Sequence, residues 1–152
     1  MRDPVRSWLR RGATALTLAA ATLPALAQFN MIPAPAASAA PSAATTADAY
    51  KRDAARHIYQ SYSSRIWKGK LRPLLHGIMI TETRLDANGH VIDVGVIRPP
   101  AAAEVRPFVI EMIKRASPFP APTRLGATRV VEIWLVDKSG QFQLDTLTEG
   151  QL

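Results

Sequence analysis

The stretch His76-Gly-Ile-Met-Ile-Thr-Glu-Thr-Arg-Leu-Asp-Ala-Asn-Gly-His-Val-Ile-Asp-Val-Gly-Val-Ile97 decides the fold. Ile78, Met79 and Ile80 lead into Thr81 and Thr83. Val91, Ile92, Val94 and Val96 follow on the far side of Asp86-Ala87-Asn88-Gly89. β-Branched residues at this density favour strands. Asn-Gly accepts the positive φ angles of a tight turn, so residues 76–85 and 90–97 read as an antiparallel hairpin. Pro99-Pro100 ends the second strand, because proline has no N–H to give to a ladder.

Outward from the hairpin, the pattern changes from strand to helix on both sides. Tyr50, Ala54, Ile58, Tyr62 and Ile66 recur every four residues, which predicts an amphipathic helix over 47–66 capped by Thr45 or Thr46. Lys51, Arg52, Arg56 and Arg65 fall on its polar side. After the hairpin, Val109, Met112, Ile113 and Ala116 predict a second helix that starts at Pro107, a residue suited to a first helical position. Ser117-Pro-Phe-Pro-Ala-Pro122 then forces an extended loop in which Phe119 plugs the core; the same segment also has the composition of a polyproline II ligand. A third strand runs over 129–136, and residues 141–144 are able to pair back as a short final one. The expectation is an α+β domain of order α-β-β-α-β, with a small three-stranded antiparallel sheet packed on two helices.

The N-terminus reads as an address. Arg2, Arg6, Arg10 and Arg11 precede an apolar run of 15 residues, Ala13 to Ala27, that closes on Ala25-Leu26-Ala27. That is the layout of a secretory signal cleaved before Gln28, and the run is short for a membrane-spanning helix. The other reading is an uncleaved anchor in the inner membrane. The pair Arg10-Arg11 points to a twin-arginine route, with weak support from the residues after it. Residues 28–45, rich in Ala, Pro and Ser, form a linker that would span roughly 50–60 Å if extended. The sequence thus divides into a signal at 1–27, a linker at 28–45 and a domain at 46–152. Taking four arginines and one aspartate from 19 basic and 12 acidic residues leaves 15 and 11, so the charge falls from +7 to +4 without the signal. Nucleic acid is therefore not expected as a partner. The expected location is the periplasm.

Chemistry is sparse. There is no cysteine, which removes disulfides and thiolate sites. His57, His76 and His90 show no metal-ligand spacing. No hydrolase elbow, P-loop or dinucleotide fingerprint occurs. No enzyme, cofactor or metal is expected. The basic cluster Arg65, Lys68, Lys70 and Arg72 around Trp67 reads either as a solvated helix end or as a patch for anionic envelope polymer.

The hairpin on Asp86-Ala-Asn-Gly89 with Val91 and Asp93-Val94, the helix exit Ile113-Lys-Arg-Ala-Ser-Pro-Phe-Pro120 and the strand Arg129-Val-Val-Glu-Ile-Trp-Leu-Val136 resemble the C-terminal domains of the TonB family. The leading helix, with Ile58, Ile66 and Trp67 before Pro73, resembles that of TolA. Arg98-Pro99-Pro100 and Val105-Arg106 depart from the family pattern. The resemblance implies a non-enzymatic adaptor that binds an envelope protein, such as an outer-membrane receptor or a Tol-system protein, by adding a strand to the exposed sheet edge formed by residues 129–136. On that implication the partner-binding residues are Arg129, Val130, Glu132, Trp134 and Val136. Trp134 is then either on an open face or in the core. The alternative is a structural or homodimerising envelope protein with no client peptide.

Overall fold

The structure, a computed structural model, describes residues 39–151. Signal residues 1–27 and linker residues 28–38 lie outside the described residues. The elements are α1 (Ala47–Ser61), β1 (Gly77–Leu85), β2 (Val91–Arg98), α2 (Val105–Arg115), β3 (Thr128–Val136) and β4 (Phe142–Leu144). One-turn 3₁₀ segments at Ser63–Arg65 and Asp145–Leu147 complete the chain. The α+β class holds, but the sheet has four antiparallel strands in the order β2-β1-β3-β4, not three.

Thr46 caps α1, its hydroxyl accepting the Ala49 N–H at 3.2 Å. The helix stops at Ser61, five residues short of the periodic stripe. Serines 63 and 64 are poor helix formers. Beyond them the chain is pulled into pairing with β4: the Trp67 N–H donates to the Phe142 carbonyl at 3.0 Å. Tertiary contact overrides the apolar repeat there. In α2, Pro107 stands third in the helix, not first. Its missing N–H is still one of those a helix start leaves unpaired, so nothing is lost.

Both helices cover one face of the sheet. That face carries Met79, Thr81, Thr83 and Leu85 from β1, and Val130, Glu132, Trp134 and Val136 from β3, all buried. Tyr50, Ile58, Phe108, Val109, Met112 and Ile113 meet them from the helices. Two buried tyrosines tie α1 to its neighbours by donating hydroxyls to carbonyls, Tyr50 to Pro120 of the proline loop at 2.7 Å and Tyr62 to Met112 of α2 at 2.8 Å. Phe119 plugs the core as expected, 5.0 Å from the ring of His57. Ser42, assigned by composition to the linker, is buried; its Oγ donates to Asp53 at 2.6 Å and its N–H to Ala121. Among the described residues no helix is long and apolar enough to cross a membrane.

Candidate partner-binding strand edge

Strand β3 was expected at the edge of the sheet, and the structure corrects this. β3 pairs with β1 from Thr128 to Val136 and with β4 at Trp134, Leu135 and Val136. Among the described residues it is an interior strand whose N-terminal half has a strand on one side only. The terminal strands are β2 and β4.

Hydrogen bonds set which backbone groups of that half face outward. The Asp86 N–H donates to the His90 carbonyl at 3.0 Å, so residue 86 faces β2. Strand groups alternate in direction, so 84 and 82 face β2, while 85, 83 and 81 face β3. Thr83 and Thr81 stand opposite Val130 and Glu132. Val130 and Glu132 therefore direct their N–H and C=O to β1, and Arg129, Val131 and Ile133 direct theirs away from it. An independent bond agrees: the Ile133 N–H donates to Glu132 Oε1 at 3.0 Å, not to β1.

Glu132 is the unusual residue of the site. Its side chain lies beneath the helices with 7% exposure. Oε1 also accepts the Thr146 N–H at 3.4 Å and lies 3.9 Å from Lys51 Nζ. Oε2 is buried with no hydrogen-bond partner among the described residues. Burial raises its pKa above the ordinary carboxylate range, while the Thr146 hydroxyl, the Ile133 amide, Lys51 and the Thr146 amide pull it down. The cavity beside it, bounded by Thr81, Thr83, Val130 and Glu132, measures about 20 Å³. That is room for a water molecule and too small for an organic ligand.

The other residues expected at the site separate into two groups. Trp134 is core: 2% exposed, its Nε1–H donating to Thr81 Oγ1 at 3.1 Å, its ring 5.1 Å from Phe142. Val130 and Val136 are buried beside it. Only Arg129 reaches solvent, 3.7 Å from Glu82. Side chains offered to the outside come instead from the alternate row, where Val131 is 38% exposed and Ile133 and Leu135 are half-buried. Lys51 and Thr146 are additions that no local pattern signals, since each meets Glu132 only through the tertiary fold.

The basic cluster is split. The Arg72 guanidinium lies 5.1 Å over the Trp67 ring, and the Trp67 Nε1–H donates to the Lys70 carbonyl. Lys68 lines a shallow groove with Ser63, Ser64 and Trp67. Arg65 is directed elsewhere, 5.5 Å over the ring of Phe108 on α2. His76 and His90 pair with Glu104 and Asp86, at 2.7 and 3.2 Å. No protein-family model, curated protein or solved structure matches the chain.

Proposed function

We propose that this is a non-enzymatic adaptor of the bacterial envelope, similar to the C-terminal domains of TonB and TolA, that binds an extended segment of a protein partner by strand addition. The segment pairs with the open half of β3, Arg129 to Ile133. The observation that carries this reading is the unequal pairing of β3: nine residues to β1, three to β4. Among the described residues, the outward N–H and C=O groups of Arg129 and Val131 have no strand beside them, and such groups are a ready template for another chain. Main-chain bonds supply affinity; Val131 and Arg129 supply selectivity. Residues 1–27 read as the export signal that would place the domain in the periplasm.

The discriminating variant is Val131→Pro. Its N–H faces outward, so proline there removes a donor to the partner and none to β1. Glu132→Pro removes a donor to β1 and serves as the unfolding control. The test selects binders from a library of extended peptides on the purified protein and measures their affinity for Val131→Pro. The reading expects that variant to keep its circular dichroism and melting temperature and to lose the peptides. Undiminished binding to folded Val131→Pro rejects strand addition at β3.

A further inference from the structure

Strand β2 closes the opposite side of the sheet, and its own exposed edge has a self-complementary layout. Asp93 stands opposite Arg84 and Gly95 opposite Glu82, the two β1 residues whose backbone faces β2. Asp93 and Gly95 are therefore bonded inward. Val94 and Val96 direct their N–H and C=O groups out of the sheet. The window is short. Val91 is closed at one end, its N–H donating to Ser117 Oγ at 3.1 Å, and Pro99 follows the strand at the other. Bulges interrupt the β1–β2 register at Ile92 and Ile97, and they leave these two side chains 62% and 58% exposed.

We propose that β2 pairs antiparallel with β2 of a second copy of this chain, about a two-fold axis through Gly95. In that register Val94 meets Val96 of the second copy, and Val96 meets its Val94. Both are pairs of outward-facing residues, so each exchanges two N–H···O=C bonds. Gly95 meets Gly95 in the non-hydrogen-bonded position, where Cα atoms approach to about 4.5 Å and the absence of side chains removes any collision. The bulge at Ile97 returns Arg98 to the sheet face that carries Asp93, the face away from the helices. Asp93 of each copy, ion-paired to Arg84 of its own chain at 3.1 Å, then stands opposite Arg98 of the other. Ile92 and Ile97 lie beside the same join and shield each other from water. Closure about a two-fold uses up the edge in both copies, so the assembly ends at two.

This edge is distinct from the open half of β3, so the two proposals fail separately. The test is a concentration series on the purified protein by sedimentation equilibrium. The expected result is a reversible dimer in the wild type. A Cβ at Gly95 meets only the Glu82 carbonyl oxygen, at 3.7 Å, so the single chain tolerates a side chain there. Gly95→Lys and Gly95→Asp each place like charges face to face across the axis. Each should weaken the dimer on the order of tenfold or more, with unchanged circular dichroism. An equimolar mixture of the two should restore it, because opposite charges then meet. Val96→Pro, which removes only an outward N–H, should also be monomeric, whereas Val131→Pro should dimerise like the wild type. A wild type that stays monomeric throughout, a Gly95→Lys chain that dimerises undiminished, or a mixture that fails to recover would each overturn the proposal. A foreign peptide that occupies β2 while the wild type remains monomeric would overturn it as well.

Discussion

The carboxylate of Glu132 holds the amide of its own neighbour Ile133, at 3.0 Å, where a flanking strand would otherwise bond it. This short bond marks the boundary of two regimes along β3. On its C-terminal side β4 supplies the next strand. On its N-terminal side the chain leaves the sheet in the 3₁₀ turn Asp145–Leu147, and among the described residues no strand follows. Glu132 holds this position at a price in desolvation, since burial outweighs the groups that favour its charge, and its Oε2 has no hydrogen-bond partner among the described residues.

Replacing that charge should stabilise the domain at neutral pH. The folded-state pKa of Glu132 is raised above its ordinary value of 4.5. Its contribution is thus fully present below that value and is lost as pH rises through the folded pKa. Glu132→Gln keeps an oxygen for the Ile133 amide and removes the ionisation. Thermal melts should show the variant above wild type at pH 7, by a few degrees, with the gap closing at pH 4 and below. A gap independent of pH would mean that the carboxylate is compensated in the fold.

His57 should act in the opposite direction. Its ring is 5% exposed, and Nε2 lies 2.7 Å from the Ala116 carbonyl, so the neutral ring donates there. Burial lowers its pKa below 6.5, outweighing the carbonyl, which favours the charged form. A depressed pKa gives stability that is present above 6.5 and is lost as pH falls through the folded value. His57→Phe should be less stable than wild type at pH 8 for want of the hydrogen bond, and its deficit should shrink between pH 6.5 and pH 5. Parallel curves for the two proteins over that range would contradict this placement of the ring.

Two glycines separate backbone strain from close approach. Gly89 and Gly69 both have positive φ, +85° and +80°. An alanine Cβ at Gly89 would lie 2.1 Å from the Phe119 carbonyl oxygen, while at Gly69 it meets nothing within 4 Å. Gly69→Ala should cost only the conformational penalty, about 1–2 kcal/mol. Gly89→Ala must in addition push apart the hairpin turn and the Phe119 loop, which are joined by the Phe119 N–H to Gly89 carbonyl bond at 2.8 Å. Chemical denaturation should rank Gly89→Ala well below Gly69→Ala. Equal losses would show that the turn is not docked on that loop.

Local pattern made the hairpin, both helices and the Phe119 plug legible, because turn chemistry and apolar period act within a few residues. Strand order was not legible. Placing β3 inside the sheet depends on β4, a strand of three residues held by distant groups: Gln143 Nε2 donates to the Trp67 and Gly69 carbonyls at 2.8 and 2.7 Å. Nothing in Phe142-Gln143-Leu144 announces those partners. The same long-range pull ended α1 early. For the candidate site, the period-two alternation of a strand divides 129–136 into two rows, with Val130, Glu132, Trp134 and Val136 on one and Arg129, Val131, Ile133 and Leu135 on the other. It could not say which row the helices cover, since both Trp134 and Ile133 suit a core. Register then assigned the buried row to Trp134 and left Arg129 and Val131 outside.

Strand addition at β3 is tested by amide hydrogen exchange along the strand, read residue by residue by NMR with and without a selected peptide. In the free protein Arg129 and Val131 should exchange quickly and Val130 and Glu132 slowly, following the alternation of their N–H groups. Saturation with the peptide should slow Arg129 and Val131 by at least about tenfold and leave Val130 and Glu132 unchanged. Slow exchange at Val131 in the free protein, or a bound peptide that leaves Arg129 and Val131 fast, would contradict strand addition at β3.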